Sequence, residues 1–217
     1  QYLSFSSGSS VTGNSGFIHM GTGVATAGRG GMVLISVGSG TSSVGGMVQA
    51  HAGRSTVHTG GAVVVTSGEG TATSSGVVLI RSSNSGEAGV SGSLLFSSGT
   101  SVTGNSGRVH MGTGAATAGR GGAVVVTVGS GTSGSGGLVQ AHAGRSTVHT
   151  GGEVHVSSGE GTATSSGAIT IRSVNAGAAG TSGYLSFSSG SSVTGNSGYI
   201  HMGTGVATAG RGGMVLI

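Results

Sequence analysis

Residues 60–74 read "GGAVVVTSGEGTATS", and a near-copy, "GGEVHVSSGEGTATS", occupies residues 151–165. Each copy opens on paired glycines, continues through a valine-rich run and closes on threonines. Side chains of successive strand residues point to opposite faces, so the alternation in such runs is typical of a strand. The stretch therefore predicts a short strand between glycine-marked corners.

The same phrase recurs along the chain, and a glycine stands before each apolar run. These first-column glycines are spaced fifteen residues apart, with one spacing of sixteen in every six. They are Gly16, Gly31, Gly46, Gly61, Gly76, Gly92, Gly107, Gly122, Gly137, Gly152, Gly167, Gly183, Gly198 and Gly213. Five spacings of fifteen and one of sixteen make a super-repeat of 91 residues, which relates Phe5, Phe96 and Phe187.

The super-repeat divides the chain into units at about 1–91 and 92–182, with a partial unit at 183–217. A second glycine column follows seven residues after the first, as at Gly23 after Gly16. The two sixteen-residue repeats lack it and carry Ser83 and Val174 instead. We expect one continuous repeat domain over 1–217, a window of a longer array.

The predicted fold class is all-β, a flat and narrow β-solenoid with coils of fifteen residues and two short strands per coil. Each strand would pair with the equivalent strand one turn later. On the first strand, Val63 and Val65 are expected to point inward and to stack with their equivalents in other turns. The second strand offers small inward partners such as Ala25 and Ala72, so the cross-section is expected to be thin.

Apolar residues also occupy the outward positions of the first strand. A long exposed apolar stripe in a protein marks an association surface, so we interpret these positions as a lateral interface. The alternative is that these apolar side chains are tolerated at a partly solvent-exposed surface and contact no partner. The predicted interface residues are Phe17, Met32, Leu34, Met47, Val64, Val77, Leu79 and Leu95.

Threonines form one outward column on the predicted second strand. This column resembles the ice-binding face of insect antifreeze solenoids, although only two turns carry the full Thr-x-Thr pair, as at Thr71 and Thr73. Threonine is also a good strand former, which favours a purely structural role. The column comprises Thr26, Thr41, Thr56, Thr71, Thr117, Thr132, Thr147, Thr162 and Thr208.

The composition excludes several classes of protein. The chain has 51 glycines in 217 residues, no Pro, Cys or Trp, and 6% charged residues. A disordered glycine-rich tract is one interpretation, but the regular placement of Val and Ile argues against it. Without Pro or glycine at every third position, a collagen helix is excluded. No apolar run predicts membrane insertion, and a net charge of +4 spread along the chain does not predict nucleic-acid binding.

No motif predicts catalysis, a metal or a cofactor. His19, His110 and His201 share a column but would lie about 29 Å apart on the predicted spacing of turns, too far for one ion. The glutamates are scattered without a paired carboxylate, and no group completes a Ser-His triad. We expect a non-enzyme with no catalytic, cofactor-binding or metal-binding residues.

Through "SVTGNSG", "ATAGRGG" and "QAHAGRSTVHTGG" the chain resembles β-solenoid repeat proteins of extracellular fibres, surface appendages and adhesins. The resemblance implies an extracellular or cell-surface structural protein that self-associates into filaments or bundles by lateral packing of solenoids. Two alternatives remain open: an ice-binding solenoid that acts through the threonine column, and an adhesin stalk. These would add ice or a surface glycan as a partner.

Overall fold

The structure is a computed structural model that describes residues 2–216. The chain divides into two units, Gln1–His110 and Met111–Ile217. None of the described residues lies in a helix or a strand. The predicted all-β solenoid is therefore wrong, and neither of its two strands per coil forms. The described residues make an irregular coil in which segments without secondary structure alternate with short bends and turns.

Residues 2–216 contain no buried hydrophobic side chain and therefore no core. The accessible surface is 21778 Å², whereas a folded monomer of 20.2 kDa would expose about 8,800 Å². The predicted inward stacking of Val63 and Val65 is also wrong, because these side chains are 60% and 70% exposed. The small residues expected opposite them are not buried either.

Backbone hydrogen bonds in the first unit close loops within the chain. In three repeats, a first-column glycine N–H donates to the carbonyl of the second-column glycine eight residues before it. The bonds are Gly46 to Gly38 at 3.0 Å, Gly61 to Gly53 at 2.8 Å and Gly76 to Gly68 at 2.9 Å. We call 38–46, 53–61 and 68–76 the closed loops of this unit.

The second unit contains the equivalent closed loops 129–137, 144–152 and 159–167. Their closing bonds measure 3.0, 2.8 and 2.9 Å, the same values in the same order as in the first unit. The closed loops 91 residues apart in sequence thus have the same closing geometry. The super-repeat is therefore reflected in backbone structure, although not as turns of a solenoid.

The reason for the wrong fold prediction lies in how the glycine columns are used. The prediction placed these glycines at corners between strands, and each strand was expected to pair with the equivalent strand fifteen residues later. In six repeats of the structure they are instead the two ends of a loop and form a backbone hydrogen bond with each other. Ordering a coil rich in Gly and Ser costs much backbone entropy, and inward residues as small as Ala25 and Gly70 offset little of it by burial.

A close approach explains the glycine at the end of four of the six closed loops. A Cβ on Gly46 would lie 3.0 Å from the Cβ of Val37, nine residues earlier, whereas a Cβ on Gly38 would meet no atom within 4 Å. The equivalent Gly137 would place a Cβ 3.1 Å from the Cβ of Val128. Space at the loop base thus disfavours a Cβ in four of the loops, whereas Gly76 and Gly167 would make only ordinary contacts at 3.4 Å. The second-column glycines of all six loops would meet no atom within 4 Å.

We expect Gly46→Ala to open the loop 38–46, because its new methyl group would press against Val37 and separate the hydrogen-bonded backbone atoms. Gly38→Ala is the matched control at the other end of the same bond, where the methyl meets open space. Amide hydrogen exchange at residue 46 should become faster in Gly46→Ala and remain within about twofold in Gly38→Ala, as for a substitution without a steric effect. Equal exchange in both variants would contradict this account.

Short bends lie at the tips of the loops. In five repeats, a serine hydroxyl at the start of the bend accepts a hydrogen bond from the backbone N–H three residues later. Two of these bonds, Ser55 with His58 and Ser146 with His149, measure 2.9 Å. The other three, which start at Ser10, Ser101 and Ser192, measure 3.0 to 3.1 Å. Such side-chain to backbone bonds stabilise turns locally and compete with regular secondary structure.

Candidate functional site

The candidate functional site is a set of apolar segments, each the four residues that follow a first-column glycine. Bends and closed loops separate them, so they recur with the period of the repeat. In the first unit they are 17–20, 32–35, 47–50, 62–65, 77–80 and 93–96. In the second unit they are 123–126, 138–141, 153–156, 168–171, 184–187 and 199–202. Segment 108–111 includes the last residues of the first unit and the first of the second, and the segment after Gly213 is described through residue 216.

All eight predicted interface residues lie on apolar segments, and all are exposed. Their exposed fractions range from 72% for Met47 to 88% for Phe17 and Leu95. Their neighbours on the predicted inner face are less exposed, at 47% for Val78 and 50% for Leu94. A weak alternation therefore persists along each segment, but neither face is buried in the described chain.

The predicted threonine column lies outside the apolar segments, in the bends at the loop tips. Each of its members is the first residue of a three-residue bend at a loop tip, as at 26–28, 41–43 and 208–210. In the three repeats that carry valine at this place, Val11, Val102 and Val193 are fully exposed. The threonines thus lie in bends, and no strand of the described chain holds them in a flat array.

The remaining polar side chains form no catalytic or metal-binding cluster in the part of the chain that the structure describes. Residues 2–216 contain no group of three His, Cys, Asp or Glu side chains that could hold a metal ion. Glu69, Glu87, Glu153 and Glu160 are exposed. The same residues include no helix long and apolar enough to cross a membrane.

Two recesses lie outside all of the predicted sites. One, of about 310 Å³, is lined by Arg172, Ser173, Val174 and Asn175. The other, of about 180 Å³, is lined by residues 81–84, which are Arg, Ser, Ser and Asn. The sequence does contain a signal for them, because these are the two sixteen-residue repeats in which the second glycine column is missing.

Comparison with known proteins gives no further assignment. No protein-family model matches the chain, and no curated protein or solved structure is significantly similar to it.

Proposed function

We propose that this chain is a structural repeat protein that assembles into a filament or network through contacts between the apolar segments of different copies. One observation carries the proposal: every apolar segment is exposed, and no hydrophobic side chain of residues 2–216 is buried. Contiguous exposed apolar surface favours association, because burying it in a contact releases about 25 cal/mol per Å².

The composition of the segments supports contact between identical copies. Segments such as 62–65, "AVVV", and 77–80, "VVLI", are short, uncharged and rich in β-branched residues. Sequences of this type pack well against their own copies. Because the segments repeat at a constant interval, two chains that meet at one segment raise the effective concentration at the next.

The contact differs from the one expected from sequence. Lateral packing of solenoid rods requires a solenoid, and the described residues do not form one. The contact unit is therefore the apolar segment, and the loops between segments act as spacers. The extracellular location, the ice-binding alternative and the adhesin alternative stay predictions, and no contact or geometry in the described residues favours either alternative over self-association.

Sedimentation of the purified 217-residue chain over a range of concentrations tests the proposal. We expect a sharp transition from monomer to large assemblies as concentration rises, because association at many segments is cooperative. Added salt should leave the transition in place or lower its concentration, since apolar contacts are not screened and excluded salts strengthen them. A chain that stays monomeric up to millimolar concentration would overturn the proposal.

A further inference from the structure

The two recesses are equivalent positions of the super-repeat. Arg81 and Arg172 are 91 residues apart, as are Asn84 and Asn175. Each recess is formed by four consecutive residues of a sixteen-residue repeat, one in each unit of the structure. A recess lined by an arginine, a serine and an asparagine thus occurs at the same place in both super-repeats, although the two differ in volume and in the residue at Ser83 and Val174.

Each recess is lined by an arginine, a serine and an asparagine, whose side chains donate hydrogen bonds that suit an anion, and the remaining position is Ser83 in one recess and the apolar Val174 in the other. A guanidinium donates through a rigid planar fork, a serine hydroxyl donates one bond and an asparagine amide donates two. Among residues 2–216, none of the side-chain hydrogen bonds uses Arg81 or Arg172, so both guanidinium groups keep their donors available. Three kinds of donor within four residues fit an acceptor that presents oxygens in several directions.

We propose that both recesses bind an oxyanion of the sulfate or phosphate type, either as the free ion or as an ester group on a polysaccharide. Arg81 or Arg172 supplies the charge-assisted bonds. The adjacent serine and the asparagine three residues after the arginine supply neutral donors. A single exposed site of this kind binds weakly.

The two recesses also differ in a way that predicts their relative affinities. Glu87 follows Asn84 by three residues in the first unit, whereas the equivalent residue in the second unit is Ala178. A carboxylate in the same loop repels an incoming anion, so the recess at Arg172 is the stronger site. Removing this charge by Glu87→Ala should strengthen binding at residues 81–84 alone.

The test is nuclear magnetic resonance of the ¹⁵N-labelled 217-residue chain, below its assembly concentration, titrated with sodium phosphate or sodium sulfate at constant ionic strength. We expect shifts confined to the amides of residues 81–84 and 172–175, with none from chloride. Arg81→Gln with Arg172→Gln should weaken binding about fivefold or more, as expected when a bond to a charged group is lost. Arg29→Gln with Arg120→Gln is the control, since it removes the same charge, also from positions 91 apart, outside both recesses.

Equal loss of binding in the two double variants, or shifts spread over all arginines, would overturn the proposal. So would Glu87→Ala leaving the shifts at 81–84 unchanged. Retention on immobilised heparin, a sulfated polysaccharide, distinguishes the two sources of the oxyanion. If the Arg81→Gln, Arg172→Gln variant elutes earlier than the control variant, the ligand is an ester group on a polymer. If the two variants elute together and only the recess variant loses the amide shifts with phosphate, the ligand is the free ion.

Discussion

Leu34→Glu combined with Val125→Glu should suppress self-association of the chain without altering the free monomer. The two positions are equivalent, 91 residues apart, and both side chains are exposed, at 79% and 75%. In the monomer a glutamate at either position faces water and costs little. In a contact between apolar segments it would be buried without a partner, which carries a desolvation cost of several kcal/mol.

We expect the concentration at which half of the protein sediments as assemblies to rise by at least tenfold, equivalent to about 1.4 kcal/mol. The far-ultraviolet circular dichroism of the dilute chain should stay unchanged. Sedimentation and circular dichroism on the same samples measure both effects. Unchanged assembly in the double variant would show that segments 32–35 and 123–126 are not contact sites.

Thr41→Glu with Thr132→Glu is the matched control for this experiment. It adds the same two negative charges at equivalent positions, but in bends at loop tips. Either pair lowers the formal net charge from +4 to +2, that is 4 − 2, which reduces repulsion between copies. The control should therefore assemble at the original concentration or lower. Equal suppression by both pairs would point to charge and not to the apolar segments.

Val65→Glu should behave like Val64→Glu, although the sequence pattern assigns the two residues to opposite faces. A solenoid would bury Val65 and would lose structure around a buried charge. In the structure Val65 and Val64 are 70% and 78% exposed, so neither glutamate enters a core. Both variants should keep the wild-type circular dichroism, and both should raise the assembly concentration by a similar factor.

Hydrogen exchange at the loops on either side of segment 62–65 provides the sharpest measurement. The closing bonds Gly61 to Gly53 and Gly76 to Gly68 involve backbone atoms of the loops only. Exchange at both glycine amides should match wild type in each single variant. If exchange at Gly76 became faster in Val65→Glu but not in Val64→Glu, the two residues would lie on an inner and an outer face. That result would contradict a coil without a core.

The candidate contact sites could be predicted in part from sequence. Leu34 and Leu79 lie in apolar runs that are visible in the sequence, and their role as contact residues stays a prediction. The recesses at 81–84 and 172–175 could not be assigned from sequence, because a missing glycine at Ser83 or Val174 does not tell which side chains will face a common space. Their lining becomes apparent only from the backbone path of the loop.

The sequence by itself determined which residues of this protein are equivalent. The fifteen-residue period, its sixteen-residue exception and the super-repeat that relates Gly46 to Gly137 are all visible in it, and the structure repeats its loop geometry in step with them. Only the tertiary structure decided which backbone groups pair. A glycine column suits a solenoid corner and a loop base equally well, and periodicity does not distinguish a partner fifteen residues away from one eight residues away. That choice depends on whether buried apolar area offsets the entropy of ordering the coil, and here the small residues opposite Val63 and Val65 leave too little area to bury.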